Sequence, residues 1–104
     1  MCNSILYLSK TTTHFTDMDL LRICDVSSET NKAINVTGFL YFNSGLFLQY
    51  LECGNDHIFQ LYKKIQADQR HKIVCDIHFQ LETSIFPGWA MKWLNSKEQY
   101  QLRN

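Results

Sequence analysis

Three side chains with hydrogen-bonding ends interrupt apolar stretches of this 104-residue chain. Tyr7 lies in the run ILYL, Gln49 lies in the run LFLQYL, and Asn31 ends a helical stripe that begins with apolar residues. Each amide offers a carbonyl acceptor and an amide donor, and a phenol both donates and accepts. Together the three side chains could bind the imide-like edge of a flat heteroaromatic ligand.

The same three residues also have a purely structural interpretation. A buried amide without a partner costs about 1 to 3 kcal/mol, so it needs hydrogen bonds whether or not a ligand is present. Buried polar side chains are usually bonded to one another inside a core. From the residues alone, a satisfied polar network and a ligand site both remain open.

Other kinds of site are less well supported by the residue pattern. The four glycines are too widely spaced for a G-x-G-x-x-G dinucleotide loop or a phosphate-binding loop. The four histidines lack the spacing of a zinc site, and we expect no metal. Cys53 and His57 are four residues apart across a Gly-Asn turn, so a small thiol-dependent enzyme stays an alternative.

Charge and composition exclude further classes of partner. The chain has 10 Lys+Arg and 10 Asp+Glu, and this zero net charge argues against nucleic acid. Because no apolar run reaches the roughly 18 residues of a membrane span, and no signal peptide opens the chain, we expect a cytoplasmic protein without membrane contact. The four cysteines form no C-x-x-C motif and are expected as buried free thiols: Cys2, Cys24, Cys53 and Cys75.

The elements that would position these side chains begin with a strand over residues 4–9. Thr16 or Asp17 then caps a helix, since both residue types favour that position. One face of this helix follows a 3.6-residue period and changes from apolar to polar along its length. The residues of that face are Leu20, Ile23, Cys24, Ser27 and Asn31.

The second half of the chain repeats the pattern. Residues 36–42 and 46–52 predict two strands joined by the hairpin turn Asn43-Ser44-Gly45. Residues 54–56 then begin a second helix, strands follow at 74–81 and 89–94, and Pro87-Gly88 forms a turn between them. The apolar face of this helix also runs into a polar residue, and it consists of Ile58, Leu61, Tyr62, Ile65 and then Asp68.

This order predicts an α+β fold, a ferredoxin-like β-α-β-β-α-β-β sandwich. Its five-stranded mixed sheet would carry both helices on one face, with residues 1–95 as the domain and residues 96–104 as a polar tail. In that topology the first and third strands are neighbours, so Tyr7 and Gln49 would lie side by side. Ile23 and Ile65 would flank the slot between the helices.

Five segments in this order form a recognisable set: residues 6–9 (LYLS), 31–38 (NKAINVTG), 47–52 (FLQYLE), 68–71 (DQRH) and 86–91 (FPGWAM). On these motifs the chain resembles the BLUF family, blue-light sensors that hold a flavin without a covalent bond. The resemblance covers residues 4–94 and implies FAD as the cofactor, with FMN as the alternative.

The resemblance also implies residue roles. Tyr7 matches the tyrosine that gives an electron and a proton to the excited flavin, and Gln49 matches the glutamine between them. Met91 and Trp89 match two residues of the last strand that compete to pack beside that glutamine, with Met91 the expected relay. The implied flavin contacts are Tyr7, Ile23, Ser27, Asn31, Gln49, Lys64, Ile65, Asp68, Arg70 and His71.

By this resemblance the chain is a photoreceptor module without catalytic residues of its own. It would form a homo-oligomer and signal to an output protein or effector domain outside these residues. A module that binds another flat metabolite is the alternative, beside the thiol-dependent enzyme. Two positions depart from the family pattern: Cys53 replaces a usual glycine and is expected to alter the following turn, and Ser84 replaces a usual arginine.

Overall fold

In the computed structural model, residues 1–94 are described, and they form one sheet with two helices. The elements are β1 (Cys2–Thr11), α1 (Asp17–Ala33), β2 (Thr37–Asn43), β3 (Leu46–Cys53), α2 (His57–Ala67), β4 (His71–Leu81) and β5 (Lys92–Leu94). The strand order is β4-β1-β3-β2-β5. The predicted element order is thereby confirmed, and the tail predicted at 96–104 lies outside the described residues.

The sheet is mixed because its last strand runs parallel to its neighbour. The pairs β1–β3, β1–β4 and β2–β3 are antiparallel, whereas β2–β5 is parallel. Side chains alternate between the faces of a strand, and Ile5, Tyr7 and Ser9 are all buried on one face. Leu20 of α1 and Ile58 of α2 belong to the same core cluster, so both helices cover that face. This is the predicted ferredoxin-like arrangement.

The local signals at turns and helix ends are confirmed. Ser44 and Gly45 both have positive φ, 52° and 79°, as a two-residue hairpin of type I′ requires. Thr16 caps α1: its hydroxyl accepts from the Asp19 amide, and the Asp19 carboxylate accepts from the Thr16 amide.

The last strand is shorter than predicted. Strand pairing begins at Lys92, so Trp89 and Met91 lie in the segment before β5 and not within it. The backbone oxygens of this segment are used elsewhere: Trp89 O accepts from the Gly38 amide at 2.7 Å, and Ala90 O accepts from the Asn31 side chain at 2.7 Å. A prediction from apolar content alone could not anticipate these two bonds.

The prediction of four buried thiols is wrong at one position. Cys2, Cys24 and Cys53 are buried free thiols as expected, but Cys75 is exposed. Cys75 pairs with Leu8 on edge strand β4, on the face that the helices leave open.

Neither of the helices described within residues 1–94 is long and apolar enough to cross a membrane.

Gly38 is the position where the backbones of β2 and β3 approach too closely for a side chain. A Cβ atom there would lie 1.8 Å from the carbonyl oxygen of Tyr50. Gly38→Ala must therefore push the two strands apart, and we expect it to lower the free energy of unfolding by about 3 kcal/mol or more. Gly54→Ala is the matched control, because a Cβ atom at Gly54 would meet nothing within 4 Å beyond its chain neighbours. Equal denaturant midpoints for the two variants would contradict this account.

Candidate functional site

A cavity of about 750 Å³, counted with its open mouth, lies between the two helices above the sheet. Its walls come from α1 and α2, its floor from β1, β2 and β3, and one end from the residues that follow α2. The lining residues are Tyr7, Phe15, Ile23, Val26, Ser27, Thr30, Asn31, Leu40, Phe47, Gln49, Leu51, Leu61, Ile65, Asp68, Arg70 and His71. Half of these side chains are polar, but most of the surface that the cavity exposes is apolar, as in small-molecule sites generally.

A line of buried hydrogen bonds crosses the cavity floor. The Tyr7 hydroxyl donates to Gln49 Oε1, and Gln49 Nε2 donates to Met91 Sδ at 3.4 Å. Tyr7 and Gln49 are directly paired in the β1–β3 register, which brings the phenol and the amide together on the helix-covered face. Met91 arrives from the segment before β5 and is 8% exposed.

Asn31 joins the helix wall to the same segment. Its side chain is 2% exposed, and its Nδ2 donates to the Ala90 carbonyl at 2.7 Å. An amide nitrogen carries two hydrogens, so this bond uses only part of the side chain's capacity. Asn31 therefore fixes the residue next to Met91 while it lines the cavity.

The phenol of Tyr7 is neutral at ordinary pH. Burial raises the pKa of Tyr7 well above its ordinary value, and the neighbouring Tyr62 and Asp68 raise it further. The Tyr7 and Tyr62 rings lie 5.5 Å apart, and the Tyr62 hydroxyl donates to Asp76 at 2.6 Å. The ring of Tyr7 is thus held from the side, and its proton stays on the hydroxyl.

The end of the cavity after α2 is polar. Arg70 donates to both oxygens of Asp68, with Nη2 2.6 Å from Oδ2, and these bonds lower the pKa of Asp68 to about 2. The His71 ring lies 2.7 Å from Ser9 Oγ through Nδ1 and 2.7 Å from the Ile65 carbonyl through Nε2. The ring therefore ties the last turn of α2 to β1.

Comparison with known proteins assigns the chain to a family. A family model described as sensors of blue light using FAD, abbreviated BLUF, matches residues 2–92. The chain belongs to the BLUF family.

Relatives of this BLUF domain include much longer proteins. It is 35% identical over 90 residues to the photoactivated adenylate cyclase subunit beta of Euglena longa, covering 85% of this chain and 10% of that protein. A bacterial light-regulated adenylyl cyclase superimposes with a TM-score of 0.84 at 39% identity, over 94% of this chain and 29% of that one. Klebsiella pneumoniae BlrP1, solved with FMN and cyclic diGMP, gives a TM-score of 0.85 at 26% identity, over 99% of this chain and 30% of that one. The chain thus spans less than a third of each of these three proteins.

The structure brings the residues predicted for the BLUF cofactor site to one cavity, with one exception. Lys64 is exposed on α2 and is not among the described residues that line the cavity. The structure also distinguishes between the two candidates before β5. Met91 contacts Gln49, whereas Trp89 packs on Phe86 with ring centroids 4.8 Å apart.

Seven lining residues were not predicted as site residues: Phe15, Val26, Thr30, Leu40, Phe47, Leu51 and Leu61. Val26 and Thr30 lie three and seven residues after Ile23, so a wider helical stripe would have included them. Phe15 lies in the loop before α1 and packs against Phe47 with centroids 5.4 Å apart. A loop residue has no periodicity, and only the tertiary structure reveals its place.

The cysteine that departs from the BLUF pattern does not have a left-handed backbone. Within residues 1–94, the non-glycine residues with positive φ are Asn35 and Ser44, so Cys53 ends β3 without strain of that kind. A change in the following turn relative to the family stays a prediction. Cys53 Sγ donates to Asn55 Oδ1 at 3.1 Å. His57, which a thiol-dependent enzyme would need beside Cys53, is exposed at the start of α2.

The buried phenols generate a prediction about alkaline pH. Burial raises the pKa of Tyr50 to about 12, and it raises the pKa values of Tyr7 and Tyr62 as well. When folding raises the pKa of a phenol, its contribution to the free energy of unfolding is fully present below the unfolded pKa, which is near 10. That contribution is lost as the pH rises above 10 toward the folded pKa. We expect these three phenols to stay protonated past pH 10 in the folded domain.

Ultraviolet absorbance of phenolate, measured against pH, tests this expectation. At about pH 11 the chain in denaturant should show roughly nine-tenths of the full tyrosine signal, whereas the folded domain should show clearly less. Equal phenolate signals from the folded domain and the denatured chain at that pH, with the fold intact, would contradict the burial argument.

Proposed function

We propose that this BLUF domain holds FAD non-covalently in the cavity between α1 and α2, and that Tyr7, Gln49 and Met91 form its light-responsive relay. The single observation that carries the proposal is the buried line of hydrogen bonds from the Tyr7 hydroxyl through the Gln49 amide to Met91 Sδ. A purely structural network would not need to border an open, mostly apolar cavity.

The lining chemistry fits a flavin. Ile23 and Ile65, from facing helices, would contact the two faces of a flat ring, while Gln49 and Asn31 would bind its polar edge. Ser27 and Arg70 border both this cavity and a neighbouring groove, so they would hold the ribityl chain and phosphate. FMN has the same ring and first phosphate, and these residues would accept it too.

The chain's own residues define what light can change. A bound flavin supplies the photochemistry, because blue light makes it a strong oxidant. Tyr7 holds its proton at rest, and a phenol that loses an electron becomes a strong acid whose proton Gln49 Oε1 is placed to accept. Gln49 has distinct donor and acceptor ends, so rotation or tautomerisation exchanges the partners that it satisfies. Met91 then meets a different hydrogen-bonding atom.

Output would pass to another protein or domain. We infer that these residues carry no catalytic site of their own, since relatives that are named as cyclases extend far beyond the matched domain. We also propose a homo-oligomer and a cytoplasmic location, where an exposed thiol such as Cys75 stays reduced.

The first test is spectroscopic. Protein purified with FAD should be yellow, and blue light should shift its absorption slightly to the red, with thermal return in the dark. Protein that binds FAD but shows no reversible shift would refute the photoreceptor assignment. Protein that stays colourless with both FAD and FMN would refute the cofactor assignment.

Two substitutions test the relay. Tyr7→Phe removes the hydroxyl that donates to Gln49, and Gln49→Leu removes the amide, so each should abolish the red shift while flavin stays bound. Tyr41→Phe is the matched control, because Tyr41 on β2 alternates with the buried Leu40 and faces away from the cavity. A Tyr7→Phe variant that switches like the unchanged protein would overturn the assigned role.

A further inference from the structure

Glu52 is a buried carboxylate on the sheet face opposite the cavity. It lies three residues after Gln49 on β3, so the two side chains leave opposite faces of the same strand. Glu52 is 1% exposed. A buried charge is expensive unless its oxygens are fully hydrogen-bonded.

Both carboxylate oxygens of Glu52 accept several bonds. Oε1 accepts from the Ser84 hydroxyl and from the Phe86 amide, the latter at 2.6 Å, and Oε2 accepts from the Ile85 amide at 2.9 Å. Within β2 and β3, Thr37 Oγ1 donates at 3.2 Å and the Tyr50 hydroxyl at 2.9 Å. Three consecutive residues of one segment therefore converge on this carboxylate.

The carboxylate is ionised at neutral pH. Burial alone would raise the pKa of Glu52, but the bonds from Ser84, Ile85 and Phe86 outweigh burial and hold the pKa below its ordinary value. All of these donors are neutral groups. The negative charge is thus stabilised by the segment itself, and the segment is held by the charge.

The same segment ends at the proposed relay. After residues 84–86 it continues to Trp89, whose carbonyl accepts from Gly38, and to Ala90, whose carbonyl accepts from Asn31. It then reaches Met91, whose sulfur accepts from Gln49. One end is thus bound to Glu52 and the other to Gln49, and both of these belong to β3.

We propose that Glu52 is a positioning residue for the light response: its carboxylate holds residues 84–86 so that Met91 stays against Gln49. This inference rests on the proposed function. With residues 84–86 held, a change of partners at Gln49 must be accommodated within residues 87–91. Without this contact, the whole segment can shift, and Gln49 reorients against less resistance.

The test compares three variants loaded with FAD. Glu52→Gln keeps the size but replaces one acceptor oxygen with a donor that faces the backbone amides, and Ser84→Ala removes one donor from the segment. Both variants weaken the hydrogen bonds between residue 52 and the segment. Dark recovery should therefore become at least about threefold faster in Glu52→Gln. In Ser84→Ala it should also become faster, but by a smaller factor. The red shift itself should persist, since Tyr7 and Gln49 are unchanged.

Tyr50→Phe is the matched control. It removes another donor to the same carboxylate but keeps the ring that packs on Phe86 with centroids 5.5 Å apart, and Tyr50 is not part of the segment. Its recovery rate should stay within about twofold of the unchanged protein, even where its melting temperature falls, because hydrogen bonds to the segment remain.

Hydrogen exchange gives a readout that needs no flavin. In the flavin-free chain, the amides of Ile85 and Phe86 should exchange faster in Glu52→Gln than in the unchanged protein. Faster exchange with an unchanged recovery rate would overturn the inference, since Glu52 would then hold the segment without affecting the response.

The remaining outcomes also test the inference about Glu52. If Glu52→Gln does not fold, the recovery rate of Ser84→Ala takes its place as the test, and a rate equal to that of the unchanged protein overturns the inference. A Tyr50→Phe rate that rises as much as that of Glu52→Gln also overturns it, because general loss of stability would then explain both. Failure of the proposed function is recognised separately, since the unchanged protein would then show no red shift.

Discussion

The register between β1 and β3 is the constraint on which the site depends. Tyr7 faces Gln49 across this antiparallel pair, and side chains alternate between faces with a period of two residues. A slip of one residue would turn Gln49 to the opposite face and bring Leu48 or Tyr50 beside the cavity. Buried Ile5 and Leu51, both 0% exposed, belong to the same face and make such a slip costly. The packing of the core thus sets the hydrogen bond on which the proposed chemistry relies.

The central strand β3 also links the two faces of the sheet. Gln49 reaches the cavity on one face, and Glu52 binds the segment before β5 on the other. Because β3 is paired on both sides, with β1 and with β2, neither residue can move far without disturbing the ladder. The segment from Ser84 to Met91 is therefore attached at both ends to the central strand of the sheet.

Residue types and periodicity predicted those features that depend on residues close together in the sequence or on the element order. A hairpin turn at residues 43–45, a helix cap at Thr16 or Asp17 and adjacent positions for Tyr7 and Gln49 were predicted from residue types and the expected topology. The structure has a type I′ turn at Ser44-Gly45, the cap at Thr16 and the expected pair. The start of β5 was not predicted, because the carbonyls of Trp89 and Ala90 bind Gly38 and Asn31, which are distant in sequence. Cys75 was placed wrongly because an apolar run does not show which strand lies at the edge. The burial of Glu52 and its bonds to residues 84–86 were not predicted, although an acidic residue between Leu51 and Cys53 was a usable signal.

The bridge that His71 makes has a consequence for ligand entry. Its ring bonds both Ser9 on β1 and the backbone carbonyl of Ile65. Because Ile65 lines the α2 side of the cavity, these two bonds fix the distance between that side and the sheet. One wall of the cavity is thus already held in place before a ligand enters. A wall that is fixed in advance does not have to be ordered by the ligand, so less conformational entropy is lost at that wall on binding.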